Sequence, residues 1–152
     1  MAGLAIDSQN QHFVLAPSDV TFLLEECPRC FYLKIVSGVR RQKGPMPKIF
    51  TVIDSQQKIF FGGGSTKAIH CELPSGTVCR PSMSVASAPI AVPGSSSSTV
   101  QFRGAIDSLL AFADFTYGIV DFKTTDPKDT NVSMYGRQLH AYALSVRQTA
   151  SR

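Results

Sequence analysis

An acid and a base stand two residues apart in the segment at 118–125, GIVDFKTT, which otherwise has the apolar character of a strand entering a core. A β-strand sends residues i and i+2 to the same face, so Asp121 and Lys123 should point the same way. A hairpin with the preceding apolar segment, turning near Asp114 or Phe115, would place Asp107 opposite Asp121 or Lys123. Two facing carboxylates repel each other unless a cation neutralises them. Their hard oxygen atoms suit Mg²⁺ or Mn²⁺, and Lys123 would remain available to orient a water or hold a phosphate oxygen.

Two strands and a helix must position these residues. The sequence TVQFRGAIDSLLAFA, which begins at Thr99, predicts the first strand, IVDFKTT predicts the second, and DFTYG contains the turn between them. DPKDTN then breaks the chain. The segment at 132–146, VSMYGRQLHAYALSV, has apolar residues at a helical period and predicts a helix. Gln138 and Tyr142 are spaced i,i+4 on it and therefore share one helical face.

The motif series GAID, IVDFKTT and QLHAY resembles that of the PD-(D/E)XK nuclease superfamily, and within it the RecB-like branch. The family pattern is an Asp in a G-x-[IV]-D strand, a [DE]-x-K on the next strand, and Q-x-x-x-Y on the following helix. The resemblance implies that Asp107 and Asp121 are metal ligands and that Lys123 is the catalytic lysine. It also implies that Gln138 and Tyr142 are catalytic-site or DNA-contact residues.

A helix ahead of the strands often supplies a further Glu or His ligand in this family. The segment at 48–61, KIFTVIDSQQKIFF, predicts an amphipathic helix that the following GGG ends. Asp54 lies on the polar side of that helix and is the better candidate for the additional metal ligand. His70 is the alternative.

The cysteines allow more than one interpretation. CPRCFYL, with Cys27 and Cys30, is similar to the N-terminal segment of RecB-like exonucleases that carry an iron–sulfur cluster, including CRISPR-associated ones. Those proteins have further cysteines after the Q-x-x-x-Y helix, and this sequence has none there. We therefore expect either a fragment or a shortened gene product, without a complete iron–sulfur cluster. Packed or free thiols are one reading of the pair. A four-thiolate zinc or iron–sulfur site with Cys71 and Cys79 is the other.

Other segments give weaker signals. Ser18 and Asp19 can cap a helix that Pro28 breaks, unless Pro28 begins a new one. The segment at 38–47, GVRRQKGPMP, is a basic loop whose Arg40, Arg41 and Lys43 could meet a phosphate. Residues 65–98 are predicted to be irregular. Within them, SVASAPIAVPGSSSS is rich in Ser, Ala and Pro and predicts an exposed loop, with or without short strands.

Composition sets the class of protein. The chain has 152 residues, 43% hydrophobic and 17% charged, with a net charge of +4, which suits one domain with a core and permits a polyanionic partner. No positively charged stretch followed by an apolar run begins the sequence, and no apolar run is long enough to span a membrane. We expect a soluble, cytoplasmic protein with reduced cysteines and no membrane partner.

Together these observations predict a single α/β domain over residues 1–152, with a small mixed sheet flanked by helices in a restriction-endonuclease-like core. The resemblance implies a Mg²⁺- or Mn²⁺-dependent deoxyribonuclease that acts in DNA repair, recombination or defence. The alternatives are a catalytically inactive nucleic-acid-binding or interaction module of the same fold, and a structural metal-binding domain organised by the four cysteines.

Overall fold

A mixed five-stranded sheet forms the centre of the part of the chain that the structure describes. The structure, a computed structural model, describes residues 11–42, 44–45, 47–124 and 129–149, apart from the side chains at 80, 81, 129–131 and 133. The strands are β1 (His12–Leu15), β2 (Gly76–Ala86), β3 (Ile90–Ala91), β4 (Thr99–Phe112) and β5 (Tyr117–Val120). The helices are α1 (Leu24–Glu26), α2 (Pro28–Ser37), α3 (Lys48–Phe61) and α4 (Asp129–Thr149), with a π-helical turn at Asp19–Leu23 and a 3₁₀ turn at Thr66–Ala68. The predicted α/β architecture with helices flanking a small mixed sheet is confirmed.

β4 pairs with each of the other four strands. β1 runs parallel to its beginning, with His12 opposite Thr99, while β2, β3 and β5 run antiparallel to it. Residues 108–111 of β4 pair with both β2 and β5, so those two strands lie on opposite edges of β4. A single long strand therefore fixes the geometry of the whole sheet.

The predicted hairpin is present, but its second strand is shorter than expected. Ser108 pairs with Val120, a register that places position 121 opposite Asp107. The strand ends at Val120, so Asp121 and Lys123 follow β5 instead of lying within it. The turn is stabilised by Asp114, whose Oδ1 accepts hydrogen bonds from the backbone N–H and the hydroxyl of Thr116.

The prediction of an irregular region at 65–98 is wrong for residues 76–86, which form the 11-residue strand β2 along the flank of β4. Three irregularities explain why this strand was not predicted from the sequence. The register shifts between Val78 and Arg80, Pro81 lies in mid-strand, and Ser82 has a positive φ of 55°. The shift interrupts the alternation of buried and exposed side chains on which strand prediction depends.

Local capping explains the boundaries of the helices. The N-terminal helical segment begins with a capping bond in which Asp19 Oδ2 accepts the N–H of Ala16 at 2.9 Å, while Ser18 makes no such bond. Pro28 is the first residue of α2, where its missing N–H costs nothing, so it begins a new helix as one of the alternatives foresaw. The predicted helix at 48–61 is confirmed as α3, and Gly62 ends it.

α4 covers the sheet and completes the core. It extends beyond the predicted 132–146 at both ends; residues 126–128 of the predicted break, like Lys43 of the basic loop, lie outside the described residues. Val85, Ile106, Leu109 and Tyr142 form a buried apolar cluster, so α4 is held against β2 and β4 through Tyr142.

Neither α4 nor any other described helix combines the length and the apolarity that crossing a membrane requires. α3 has a different character. Several of its apolar side chains are exposed, with Ile59 at 72% and Phe60 at 78%. α3 contacts the sheet mainly through β2. Its Phe61 ring also stacks on Phe122, just beyond the end of β5, with the centroids 5.5 Å apart.

Candidate active site

The side chain of Asp107 accepts a hydrogen bond that a backbone carbonyl of β4 would otherwise accept from the segment opposite. The pair Phe112 and Thr116 is hydrogen-bonded, and alternation along the ladder would bring the N–H of Phe122 to the carbonyl of Ile106. Instead, the N–H of Phe122 donates to Asp107 Oδ2 at 2.9 Å. This side-chain bond explains why β5 ends before Asp121, and it fixes one oxygen of Asp107 beside the segment that carries Asp121.

Asp121 and Lys123 point the same way and form an ion pair, as the i,i+2 spacing predicted. The Asp121 side chain is 10% exposed and that of Lys123 is 31% exposed. The Lys123 ammonium also lies 5.3 Å from the centre of the Tyr135 ring, a cation–π contact with α4. Lys123 is therefore held between a carboxylate and an aromatic face at the edge of a half-buried site.

Lys58 joins α3 to this cluster, and sequence reasoning missed it. Its Nζ lies 2.9 Å from Asp54 Oδ2 and 3.0 Å from Asp107 Oδ1. Asp54 is therefore linked to Asp107 by the Lys58 ammonium that lies between them. The available signal was the i,i+4 spacing of Asp54 and Lys58, which places both on the same face of α3.

The electrostatics of the cluster show how close its members are. Burial raises the pKa of the Asp121 carboxyl; Lys123 opposes this effect and the neighbouring Asp107 carboxylate adds to it. Burial lowers the pKa of Lys58, but Asp54 and Asp107 outweigh burial, and the net effect is a raised pKa. Three carboxylates (Asp54, Asp107, Asp121) against two ammonium groups (Lys58, Lys123) leave one net negative charge in the cluster.

Gln138 and Tyr142 are buried at 4% and 7% exposure and face the cluster from α4. Gln138 Nε2 donates to the Tyr142 hydroxyl at 3.5 Å, while the buried Gln138 Oε1 has no hydrogen-bond partner among the residues that the structure describes. Burial raises the pKa of Tyr142; Gln138 opposes this effect, and the charge of Asp121 adds to it, which places the phenol beside the carboxylates. The cluster thus has an unpaired acceptor in its wall.

Gly104 makes room for that phenol. A Cβ at position 104 would lie 3.0 Å from Cε1 of Tyr142 and 3.1 Å from Cδ of Pro17. The glycine of the GAID motif is therefore required by close packing of Tyr142 against β4.

The other candidates lie elsewhere. His70 is exposed, and its Nδ1 accepts the N–H of Glu72 at 3.3 Å. Cys27 and Cys30 lie at the start of α2 with their sulfur atoms 2.7 Å apart, whereas Cys71 and Cys79 are exposed in a turn and on β2. Within the described ranges, no three His, Cys, Asp or Glu side chains are grouped so as to hold a metal ion.

Comparison with protein families gives one match, the PD-(D/E)XK nuclease superfamily, over residues 46–152. The chain belongs to the PD-(D/E)XK nuclease superfamily. The match covers every residue of the cluster at Asp54, Lys58, Asp107, Asp121 and Lys123, and its fold class agrees with the restriction-endonuclease-like core predicted from the sequence. No curated protein and no solved structure matches the chain.

PD-(D/E)XK nucleases typically use Mg²⁺ or Mn²⁺, and the chemistry of the cluster fits such an ion. Its acidic groups are oxygen donors, two of which, Asp107 and Asp121, lie side by side. Mg²⁺ commonly binds through one or two carboxylates, with water and substrate phosphate as the remaining ligands. The net negative charge of the cluster and the unpaired Gln138 Oε1 favour a cation with polar neighbours.

Proposed function

We propose that this protein is a metal-dependent deoxyribonuclease of the RecB-like type that hydrolyses phosphodiester bonds in DNA. The observation that carries the proposal is the convergence of Asp107, Asp121 and Lys123 at the open end of the β4–β5 hairpin. Membership of a nuclease superfamily and the motif order along the chain support it. We infer that Asp107 and Asp121 are the metal ligands.

Asp107 and Lys123 would have different roles in the hydrolysis. Asp107 is fixed by the Phe122 N–H, so one of its oxygens is oriented by the backbone and the other faces Lys58. Lys123 carries a positive charge at the edge of the site, where its ammonium can donate to a phosphate oxygen that gains negative charge during hydrolysis. Asp107 lies within the long strand β4, and Lys123 is held by its ion pair with Asp121 and its contact with the Tyr135 ring.

When bound, Mg²⁺ or Mn²⁺ supplies Lewis-acid polarisation of the scissile phosphate and lowers the pKa of a water. Gln138 Oε1 is an acceptor without a partner and can orient that water or the ammonium of Lys123. The Tyr142 hydroxyl accepts from Gln138 and keeps the amide in this orientation.

Cleavage assays test the proposal. The purified protein should degrade labelled DNA in the presence of Mg²⁺ or Mn²⁺ and be inactive in EDTA. Asp107→Ala, Asp121→Ala and Lys123→Ala should each reduce the rate by at least about a hundredfold, the usual effect of losing one charge-stabilising group. Glu72→Gln removes an exposed carboxylate outside the cluster and should leave the rate unchanged.

Equal activity in Lys123→Ala and wild type would contradict the assignment of the site. Products should be analysed as a function of time with circular and linear DNA, because circular DNA is degraded only by an endonuclease. This comparison decides between the exonuclease and endonuclease forms of the proposal.

A catalytically inactive DNA-binding module of the same fold is the second candidate, and one observation favours it. Lys58 already neutralises Asp107 from the side on which Asp54 lies, so an ammonium occupies the space between these two carboxylates. Under this alternative, DNA would bind without cleavage in both Mg²⁺ and Mn²⁺. Asp107→Ala would then leave DNA affinity unchanged or increase it.

A further inference from the structure

A cleft of about 610 Å³ lies on the N-terminal side of the sheet, away from the carboxylate cluster. Its walls come from the end of β1, the helical segment at 17–26, α2, the loop after α2 and β4. All of these walls except β4 belong to the continuous stretch 14–41, and β4 adds Arg103 from a distant part of the sequence. Four basic side chains contribute to the lining: Lys34, Arg40, Arg41 and Arg103.

The charges of the cleft are only partly balanced. Lys34 pairs with the buried Asp19, and Arg41 lies 3.6 Å from Glu26 with both side chains exposed. Among the described residues, Arg40 and Arg103 form no ion pair, and Arg103 donates only to Gln101 Oε1 at 3.3 Å. Four basic groups against two acidic ones give the cleft an excess of two positive charges, opposite in sign to the net charge of the carboxylate cluster.

Two structural connections join the cleft to the candidate active site. Arg103 and Asp107 are spaced i,i+4 on β4 and lie on the same face of the sheet, about 13 Å apart along the strand. Phe22, in the cleft wall, packs edge to face on Tyr135 with the ring centres 5.6 Å apart. Tyr135 in turn carries the Lys123 ammonium on its face. A chain of contacts thus leads from the basic cleft to the catalytic lysine.

We propose that this cleft binds the sugar–phosphate backbone of a single strand of DNA whose scissile phosphate lies at Asp107 and Asp121. The inference rests on the proposed function and deepens it by naming the form of the substrate. Within the described part of the chain, the guanidinium groups of Arg40 and Arg103 have no carboxylate partner. Guanidinium groups bind phosphate oxygens through two parallel hydrogen bonds. Phe22 lies in the wall of the cleft, where its aromatic ring can contact a base of the same strand.

The size of the cleft favours one strand over two. A volume of about 610 Å³ is in the range of sites that hold one medium-sized ligand. It can receive a few nucleotides of an extended strand. Both strands of a duplex, whose major groove alone is about 12 Å wide, would take up more space than one extended strand, so the limited volume favours the single strand.

Binding in EDTA tests the inference without cleavage. Fluorescence anisotropy would follow a fluorescein-labelled oligodeoxythymidine of about twenty nucleotides, titrated with the full chain at several salt concentrations. The double variant Arg40→Gln/Arg103→Gln should bind about tenfold or more weakly at low salt. The slope of log Kd against log salt should fall by about 1.4, two single-strand contacts at about 0.7 each. Lys67→Gln removes an exposed lysine outside the cleft and is the matched control, with unchanged Kd and slope.

Three results would overturn the inference: no binding of the wild type at low salt, the same Kd and slope in the double variant as in the wild type, or tighter binding of duplex than of single strand. Both arginines are in exposed positions, and melting curves would verify that the double variant is folded. The titration uses EDTA and needs no cleavage. Failure of the wild type to cleave DNA in the activity assay would therefore refute the proposed function, and the binding measurement could still be interpreted. Conversely, if the wild type cleaves DNA and the double variant binds it with the same Kd and slope, only the proposed role of the cleft in DNA binding would be refuted.

Discussion

Lys58 Nζ lies 3.0 Å from Asp107 Oδ1, so the carboxylate that the hairpin presents to the site is paired with an ammonium from α3. The same ammonium lies 2.9 Å from Asp54. A cation that binds at Asp107 must therefore share this carboxylate with Lys58 or displace it. The position of Lys58 couples the stability of the metal-free protein to its affinity for metal, and both quantities can be measured.

Lys58→Met should separate these two effects. The substitution keeps most of the side-chain volume and changes the net charge of the cluster from one negative to two. Loss of two charge-assisted hydrogen bonds should cost about 1–2 kcal/mol, or a few degrees in the melting temperature measured in EDTA. The additional upward shift caused by Mn²⁺ should be larger than in the wild type. Lys67→Met, at an exposed lysine, should change neither value, and a smaller Mn²⁺ shift in Lys58→Met would show that Lys58 helps to hold the ion.

Divalent cations should raise the melting temperature of the wild type. A ligand that binds only the native state stabilises it by about 1.4 kcal/mol when its free concentration is roughly ten times Kd, which corresponds to a few degrees here. Asp107→Asn keeps an oxygen that accepts the Phe122 N–H. The variant loses the ion pair with Lys58 but also the repulsion from Asp121, and because these two effects oppose each other its metal-free stability should stay close to that of the wild type. Its response to Mn²⁺ should disappear. Differential scanning fluorimetry in EDTA and in millimolar Mn²⁺ measures both, and a full response in Asp107→Asn would remove Asp107 from the ligand set.

Asp121 should make stability fall as the pH rises. Its pKa is raised in the folded state, chiefly by burial, above the ordinary value of 3.8. Between 3.8 and the folded pKa the native state holds more protons than the unfolded state, so the free energy of unfolding decreases as pH increases through that window. In metal-free buffer, Asp121→Asn should therefore melt higher than wild type at pH 7, and the difference should vanish below about pH 4.

Asp114 is the matched control for this pH dependence. Hydrogen bonds from the Thr116 hydroxyl and N–H lower its pKa, so its contribution is present above 3.8 and is lost as the pH falls through the folded pKa. Asp114→Asn should therefore not raise the melting temperature at pH 7. An equal rise in both variants would show that loss of any negative charge from this basic chain has the same effect.

Gly104→Ala should displace the Tyr142 ring. The new Cβ would be 3.0 Å from Tyr142 and 3.1 Å from the rigid ring of Pro17, an overpacking that typically costs about 1–3 kcal/mol. Gly136→Ala is the opposite control, because a Cβ there meets nothing within 4 Å and replaces glycine inside α4. That change should stabilise the protein by about 0.5–1 kcal/mol. Urea unfolding measures both, and stabilisation by Gly104→Ala would mean that Tyr142 is packed elsewhere in solution.

Cys27 should react as a thiolate at lower pH than an ordinary cysteine does. Hydrogen bonding between the two thiols, together with the N–H that Cys30 donates to Cys27 Sγ, lowers the pKa of Cys27 at the beginning of α2. Alkylation with iodoacetamide, followed by peptide mass spectrometry, should give a half-maximal rate at lower pH in the wild type than in Cys30→Ala. The exposed Cys71 is an internal control for the reactivity of the reagent in each sample. Identical pH profiles for Cys27 in the two proteins would contradict the hydrogen-bond assignment.

The features that the sequence predicted are those encoded over short distances. The hairpin follows from alternation and one turn. Of the two predicted partners of Asp107, Asp121 and Lys123, its register, with Ser108 opposite Val120, selects Asp121. Gln138 and Tyr142 follow from a helical period that holds throughout α4. Their roles in catalysis stay predictions, whereas their positions follow from the fold.

The features that the sequence did not predict depend on distant partners or on irregular backbone. β2 was missed because the register shift after Val78 and the positive φ of Ser82 break its alternation, while β4 provides the hydrogen bonds that hold it as a strand. Lys58 was missed because its link to Asp107 joins two elements that share no local pattern. The basic cleft could not be predicted, since its arginines lie on a loop and on a strand far apart in the chain.

The role of β4 as the common partner of all the other strands has a consequence for the order in which the molecule is built. The β4–β5 hairpin joins residues 108 and 120, whereas the β1–β4 pairing joins residues 12 and 99. Closing a short loop loses less chain entropy and is faster than closing a long one. During synthesis, β1 leaves the ribosome long before its partner exists, while β4 and β5 emerge almost together. The carboxylates of the hairpin can therefore be assembled early in folding, and the walls of the basic cleft, which need β1, are completed last.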